Sequence, residues 1–185
     1  MHWTDHFLPI AKWALHSQDL RHRYLHCATP DELDTTAGIA WCLENVAVLS
    51  IYEAALGKGY RNGHSIAYEV SYPGDYNTNP PRADLGFKEA GQGKNWAYVE
   101  VKYYGWNGKQ SIRNDIEKLR RIEKRAQRWI FTYRVRPIDG ASKELKELME
   151  SNFSSDLADI TCDTFQTVTP DGDPGQCDVF LARVV

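Results

Sequence analysis

The sequence predicts an α/β fold, a mixed sheet flanked by helices, on three observations. Apolar residues recur at helical spacing through the N-terminal third. Short extended runs bounded by turn residues fill residues 66–104. An amphipathic helix, a strand, and then a further helix with two strands complete the chain. At 185 residues there is material for one domain with a buried core. Hydrophobic residues at 42% and charged residues at 25% match globular averages, which excludes wholesale disorder, collagen and coiled coil.

The first helix is marked by Phe7, Ile10, Ala11, Ala14 and Leu15, with Pro9 expected to confine its start. A second follows Thr29-Pro30-Asp31-Glu32, where Thr29 can cap and Pro30 fits a first turn. From Ile39 to Leu56 it is nearly all apolar or small, with Glu44 and Glu53 its only charges, so it is expected to be buried on most sides. Gly57-Lys58-Gly59 stops it. Ile66 to Tyr72 reads as a strand ending at Pro73-Gly74. Arg82–Lys88 and Trp96–Tyr104, joined by the turn residues Gly91-Gln92-Gly93-Lys94-Asn95, read as a hairpin. Ile112, Ile116, Leu119, Ile122 and Ala126 then mark an amphipathic helix. Trp129–Val135 is a strand, a short helix falls around Ser142–Met149, and strands lie near Ile160–Val168 and Cys177–Val185. The acids of Asp171-Gly172-Asp173-Pro174-Gly175 lack the spacing of a calcium loop and read as a turn.

No stretch reaches the roughly 18 uncharged apolar residues needed to span a bilayer. Met1-His2-Trp3-Thr4-Asp5 offers no basic region ahead of an apolar run, so no secretion signal is read. Cys27, Cys42, Cys162 and Cys177 form no CxxC pair, which suggests reduced thiols and a cytoplasmic protein. His2/His6 and His22/His26 have i, i+4 spacing, but no glutamate of a zinc-helix motif accompanies them. The net charge of −3 hides a strong division, since residues 109–136 hold 10 Lys and Arg against 3 Asp and Glu. Such a block suits a phosphate-facing surface or a solvated helix face.

The hairpin carries the chemistry. With its turn centred on Gln92, residues whose numbers sum to 184 face each other, so Asp84 lies opposite Glu100. Alternation puts Leu85, Phe87, Ala97, Val99 and Val101 on one face and Asp84, Glu100 and Lys102 on the other. Adjacent carboxylates repel unless a cation lies between them, and oxygen ligands of this kind suit Mg²⁺ or Mn²⁺. Lys102 could orient a nucleophile or neutralise charge developing on a phosphoryl group. The alternative is a cross-strand salt bridge on a solvated face. E-x-K alone means little, because Glu144-Leu145-Lys146 repeats it on an expected surface helix.

Arg82-Ala83-Asp84-Leu85 followed by Glu100-Val101-Lys102, between a Glu-bearing helix and a helix containing Asp115-Ile116-Glu117-Lys118-Leu119, resembles the PD-(D/E)XK nuclease superfamily. The resemblance covers roughly residues 40–135, with Ala83 where the name-giving proline would stand. It implies a restriction-endonuclease-like αβββαβ core with a mixed central sheet, within a single nuclease-like domain spanning 1–185. Residues 1–30 would be an N-terminal helical extension, 31–136 the catalytic core and 137–185 a C-terminal αββ addition. It further implies that Asp84 and Glu100 are metal ligands and Lys102 the catalytic lysine. Glu44 would be the helix glutamate near the metal, with Glu53 the other choice. The expected activity is Mg²⁺- or Mn²⁺-dependent hydrolysis of phosphodiester bonds, with DNA the expected substrate and homodimerisation open. Lys118, Arg113, Arg121 and Arg125 are the candidates for nucleic-acid contacts, and Tyr103, Tyr104 and Trp106 could stack on bases or pack internally. The rival reading is a catalytically inactive subunit of the same fold that binds nucleic acid or a protein partner.

Overall fold

The computed structural model describes residues 4–27, 39, 44–57, 64–72, 81–89, 97–105, 107–122, 126–138 and 142–185. Their elements run α1 (Thr4–Cys27), α2 (Glu44–Gly57), β1 (His64–Ser71), β2 (Arg82–Glu89), β3 (Ala97–Tyr103), α3 (Gly108–Arg120), β4 (Gln127–Pro137), α4 (Leu145–Phe153), β5 (Leu157–Val168) and β6 (Pro174–Val184). The strands form one mixed sheet in the order β1-β2-β3-β4-β6-β5. Among its pairings only β3 with β4 is parallel. Parallel neighbours need a crossover, and α3 supplies it. Among the described residues no helix is long and apolar enough to cross a membrane.

Apolar residues from alternate strand positions build two cores, one on each face of the sheet. Leu85, Phe87, Val99, Val101, Phe131 and Leu181 meet α1 and α2. At its centre the Phe7 ring stands edge-on to Phe87 at 5.5 Å and to Phe131 at 5.9 Å. Each such fully buried side chain contributes about 1.5–3 kcal/mol by leaving water. On the other face Ile112, Ile116 and Leu119 of α3 and Leu145, Met149 and Phe153 of α4 pack over Tyr98, Ile130 and Phe180. The Asp19 carboxylate, buried on α1, accepts hydrogen bonds from the Ile39 amide and the Thr167 hydroxyl, which ties α1 to β5.

Four expectations need correction. Helix α1 begins at Thr4 and carries Pro9 inside it. The missing proline N–H would have bonded the Asp5 carbonyl, so one hydrogen bond near the helix start is lost while buried Phe7, Leu8 and Ala11 anchor the turn. Helix α2 is buried along one face through Ala47, Val48, Ile51, Ala54 and Ala55, while Val46 and Leu49 are 36% and 44% exposed. Helix α4 starts at Leu145, not Ser142, because the Leu145 amide is capped by the Asp178 carboxylate at 3.0 Å. Strand β6 starts at Pro174, directly after a turn closed by the Thr169 amide on the Asp173 carbonyl, with Gly172 at a φ of 85° that favours glycine. The stretch Thr29–Gly38 lies outside the described residues.

Candidate active site

Strands β2 and β3 pair as Leu85↔Val99, Gly86↔Tyr98 and Phe87↔Ala97, the register the sequence predicts. The ladder ends there, one residue short of Asp84 and Glu100. On its other side β2 pairs Leu85 with Tyr68 and Ala83 with Val70, skipping Glu69, whose φ is 47°. Both ladders therefore break at Asp84. Its Oδ2 accepts the Val101 amide at 2.7 Å, taking a donor that a strand carbonyl would otherwise hold. The break also reverses alternation, since Leu85 packs in one core and Ala83 in the other.

Glu100, from the middle of β3, is 2% exposed. Its Oε1 accepts the Tyr72 hydroxyl at 2.5 Å and lies 2.6 Å from Lys118 Nζ. Two residues on, Lys102 Nζ lies 2.6 Å from Glu44 Oε1 and 3.3 Å from Asp115 Oδ2, the second contact being an ion pair without hydrogen-bond geometry. Glu44 opens α2 and Asp115 sits in α3, so one ammonium joins helices from opposite faces of the sheet. Beside Lys102 across the β3–β4 ladder, the Thr132 hydroxyl is buried without a partner.

The acids are held above their ordinary range. Burial, reinforced by the neighbouring Asp84 charge, pushes Glu100 up to about 8 against the opposing pull of Lys118 and Tyr72. Burial also raises Asp84, outweighing the Val101 amide and both lysines, and raises Asp115 against Lys102. For Lys102 burial acts downward, but Glu44 and Asp115 together raise it, so the ammonium persists. Burial and Glu100 raise Tyr72, which stays a hydroxyl donor. Asp84, Glu100, Glu44 and Asp115 bring four carboxylates against the two ammonium groups of Lys102 and Lys118. Fully ionised, the cluster carries an excess of two negative charges, the charge of one divalent cation.

Among the described residues the hydrogen bonds to these two acids fall on one oxygen each, Asp84 Oδ2 and Glu100 Oε1, leaving Oδ1 and Oε2 without a donor. Hard oxygen donors with uncompensated charge fit Mg²⁺ or Mn²⁺. Among the described residues no three His, Cys, Asp or Glu side chains converge into a ready-made metal cage. Glu44, expected as a third ligand, has its Oε1 2.6 Å from Lys102 Nζ. Glu53, the other choice, is exposed and lines a groove between α1 and α2.

The structure redistributes the expected phosphate contacts. Lys118, the first choice among them because it is expected near the site, has its Nζ 2.6 Å from Glu100 Oε1. Arg113 and Arg121 are exposed on α3 and its C-terminal end, and Arg125 lies outside the described residues. Tyr103 packs on Tyr133 at 5.3 Å, and Tyr104 takes the Arg134 guanidinium at 5.8 Å from its ring centre. These aromatics serve internal packing, and Trp106 lies outside the described residues. So does the side chain of His26 in the second histidine pair. Tyr72 and Asp115 are members of the cluster that sequence reasoning missed. For Asp115 the signal was present, because it falls on the Ile112-Ile116-Leu119 stripe as an acid at a core-facing position. Tyr72, at a strand end before Pro73, carried no such mark. No family model matches this chain, and no curated protein or solved structure matches it either.

Proposed function

We propose that this chain is a metal-dependent nuclease with a restriction-endonuclease-like fold of the PD-(D/E)XK type, hydrolysing phosphodiester bonds with DNA as its expected substrate. The observation that carries this reading is that Asp84 and Glu100, on adjacent strands, each keep one oxygen without a donor, in a cluster of four carboxylates and two ammonium groups. The succession α2-β1-β2-β3-α3-β4, with β3 and β4 parallel, agrees with the αβββαβ core that the resemblance implies.

Asp84 and Glu100 would hold Mg²⁺ or Mn²⁺, which when bound polarises a phosphoryl oxygen and acidifies a coordinated water. The protein's own side chains divide the remaining work. Lys102 is clamped as a cation by Glu44 and Asp115. It therefore acts by offsetting negative charge on the phosphoryl group, not by removing a proton. Arg113 and Arg121, outward on α3, would hold flanking phosphates without reading bases. A binding subunit without catalysis is the second reading, and the ammonium of Lys118 seated on Glu100 favours it.

Cleavage of supercoiled plasmid, linear duplex, single-stranded DNA and RNA, with Mg²⁺, Mn²⁺ or EDTA, tests the proposal. Metal-dependent cutting is expected, and Asp84→Ala, Glu100→Ala or Lys102→Ala should each lower it by about 10²–10³-fold or more while the fold is kept. A folded Lys102→Ala protein with full activity would remove that lysine from the mechanism. Failure to cut any of the four, with no Mn²⁺ bound, would favour the binding subunit.

A further inference from the structure

Glu100 is the one site carboxylate contacted twice on the same oxygen. Both the Tyr72 hydroxyl at 2.5 Å and the Lys118 ammonium at 2.6 Å meet Oε1. The two donors are themselves stacked, with Lys118 Nζ 5.7 Å from the centre of the Tyr72 ring. Tyr72 follows directly on the end of β1, where its amide bonds the Pro81 carbonyl at 2.9 Å, and its ring stands edge-on to Tyr98 at 5.9 Å. At 3% exposure it is a fixed donor rather than a mobile one. A carboxylate with both oxygens loose rotates about its last torsion. With Oε1 pinned, that torsion is fixed and Oε2 keeps one direction, while Asp84 on the neighbouring strand is held through Oδ2 by the Val101 amide and keeps Oδ1 without a donor.

We infer that Tyr72 is a positioning residue for Glu100, holding Oε1 so that Oε2 and the neighbouring Asp84 form a preset divalent-cation site, with Lys118 as the cation this site must partly displace. The inference rests on the metal-dependent reading above and adds two residues with opposite effects. Groups that hydrogen-bond a metal ligand orient it, and their loss costs metal affinity even though they never touch the ion. Removing the Tyr72 hydroxyl therefore weakens divalent binding. Removing the Lys118 charge strengthens it, because the ammonium and the divalent ion are attracted to one carboxylate.

The test is Mn²⁺ titration of the full chain followed by calorimetry and by electron paramagnetic resonance, comparing wild type, Tyr72→Phe, Lys118→Met and Glu100→Gln. Circular dichroism and thermal melts confirm the fold of each. Tyr72→Phe is expected to bind Mn²⁺ about 10–100-fold more weakly at unchanged stoichiometry. Lys118→Met is expected to bind more tightly and Glu100→Gln not at all. A folded Tyr72→Phe protein with wild-type Mn²⁺ affinity overturns the positioning role, and weaker binding in Lys118→Met overturns the competition. Wild-type protein that takes up no Mn²⁺ overturns the metal reading itself and the role of Tyr72 with it. In that case Glu100→Gln gives the same flat titration as wild type, which separates the two failures.

Discussion

The tripeptide E-x-K occurs twice, as Glu100-Val101-Lys102 and as Glu144-Leu145-Lys146, and the two copies share more than sequence. In each, the middle residue's amide donates to an aspartate on a neighbouring strand, Val101 to Asp84 at 2.7 Å and Leu145 to Asp178 at 3.0 Å. They part company in charge and burial. Around Asp178 the guanidinium of Arg136 binds the carboxylate at 2.8 Å and reaches the exposed Glu144 at 3.5 Å, so one base serves one buried acid and one that water already solvates. Lys146 turns away to Glu150 at 3.9 Å. Around Asp84 four acids and two bases are drawn together, with the Glu100 and Asp115 side chains only 3% and 13% exposed. A motif of three residues thus acquires chemical potential from the third and fourth carboxylates that the fold brings to it, not from the motif.

The largest effect that separates the copies is on stability. Asp178→Ala takes from Arg136, whose side chain is 8% exposed, its buried acid partner, leaving Gln176 and the exposed Glu144, and uncaps α4. Breaking a buried pair by removing one partner costs about 3–5 kcal/mol. Chemical denaturation should register that loss, while Mn²⁺ affinity at Asp84 and Glu100 stays unchanged. A loss of Mn²⁺ binding in a folded Asp178→Ala protein would mean that the two regions are coupled.

The second effect concerns pH. The carboxyl of Glu100 moves from an ordinary 4.5 to about 8 on folding, so the folded state holds its proton more tightly. Its stabilising contribution is complete below pH 4.5 and is lost as pH rises toward 8. Asp84 and Asp115 shift in the same direction. In EDTA the melting temperature should fall between pH 5 and 8, by about 2–4 °C for each kcal/mol lost. Glu100→Gln should flatten the slope. An equal slope in wild type and variant would show that Glu100 is ionised throughout and that Lys118 outweighs burial.

The contrast also explains what could be read in advance. Register was legible because a turn centred on Gln92 pairs residues whose numbers sum to 184, a pairing that keeps Leu85, Phe87, Ala97 and Val99 on one face and places Asp84 near Glu100. The break of both ladders at Asp84 was not, since it depends on the positive φ of Glu69 across the sheet. Neither was the partner of Glu44, which is chosen by how α2 meets the end of β3. Lys118 was expected at the site, but its carboxylate partner there was not. A basic run does not reveal which member faces a buried acid until α3 is docked on the sheet.

The smallest expected effect is the most discriminating. Lys146 and Glu150 form an i, i+4 pair with both side chains about half exposed, and such pairs contribute about 0.3–0.5 kcal/mol or nothing measurable. Lys146→Ala should therefore shift the melting temperature by no more than about 2 °C and leave cleavage untouched. Lys102→Ala, the same substitution at the same motif position, removes an ammonium ion-paired to two acids inside the cluster. Plasmid cleavage by the two variants, measured side by side, isolates surroundings from sequence. If Lys146→Ala lost activity as Lys102→Ala is expected to, the buried cluster of acids would not be what distinguishes a reactive E-x-K from a structural one, and the assignment of chemistry to β3 would fall with it.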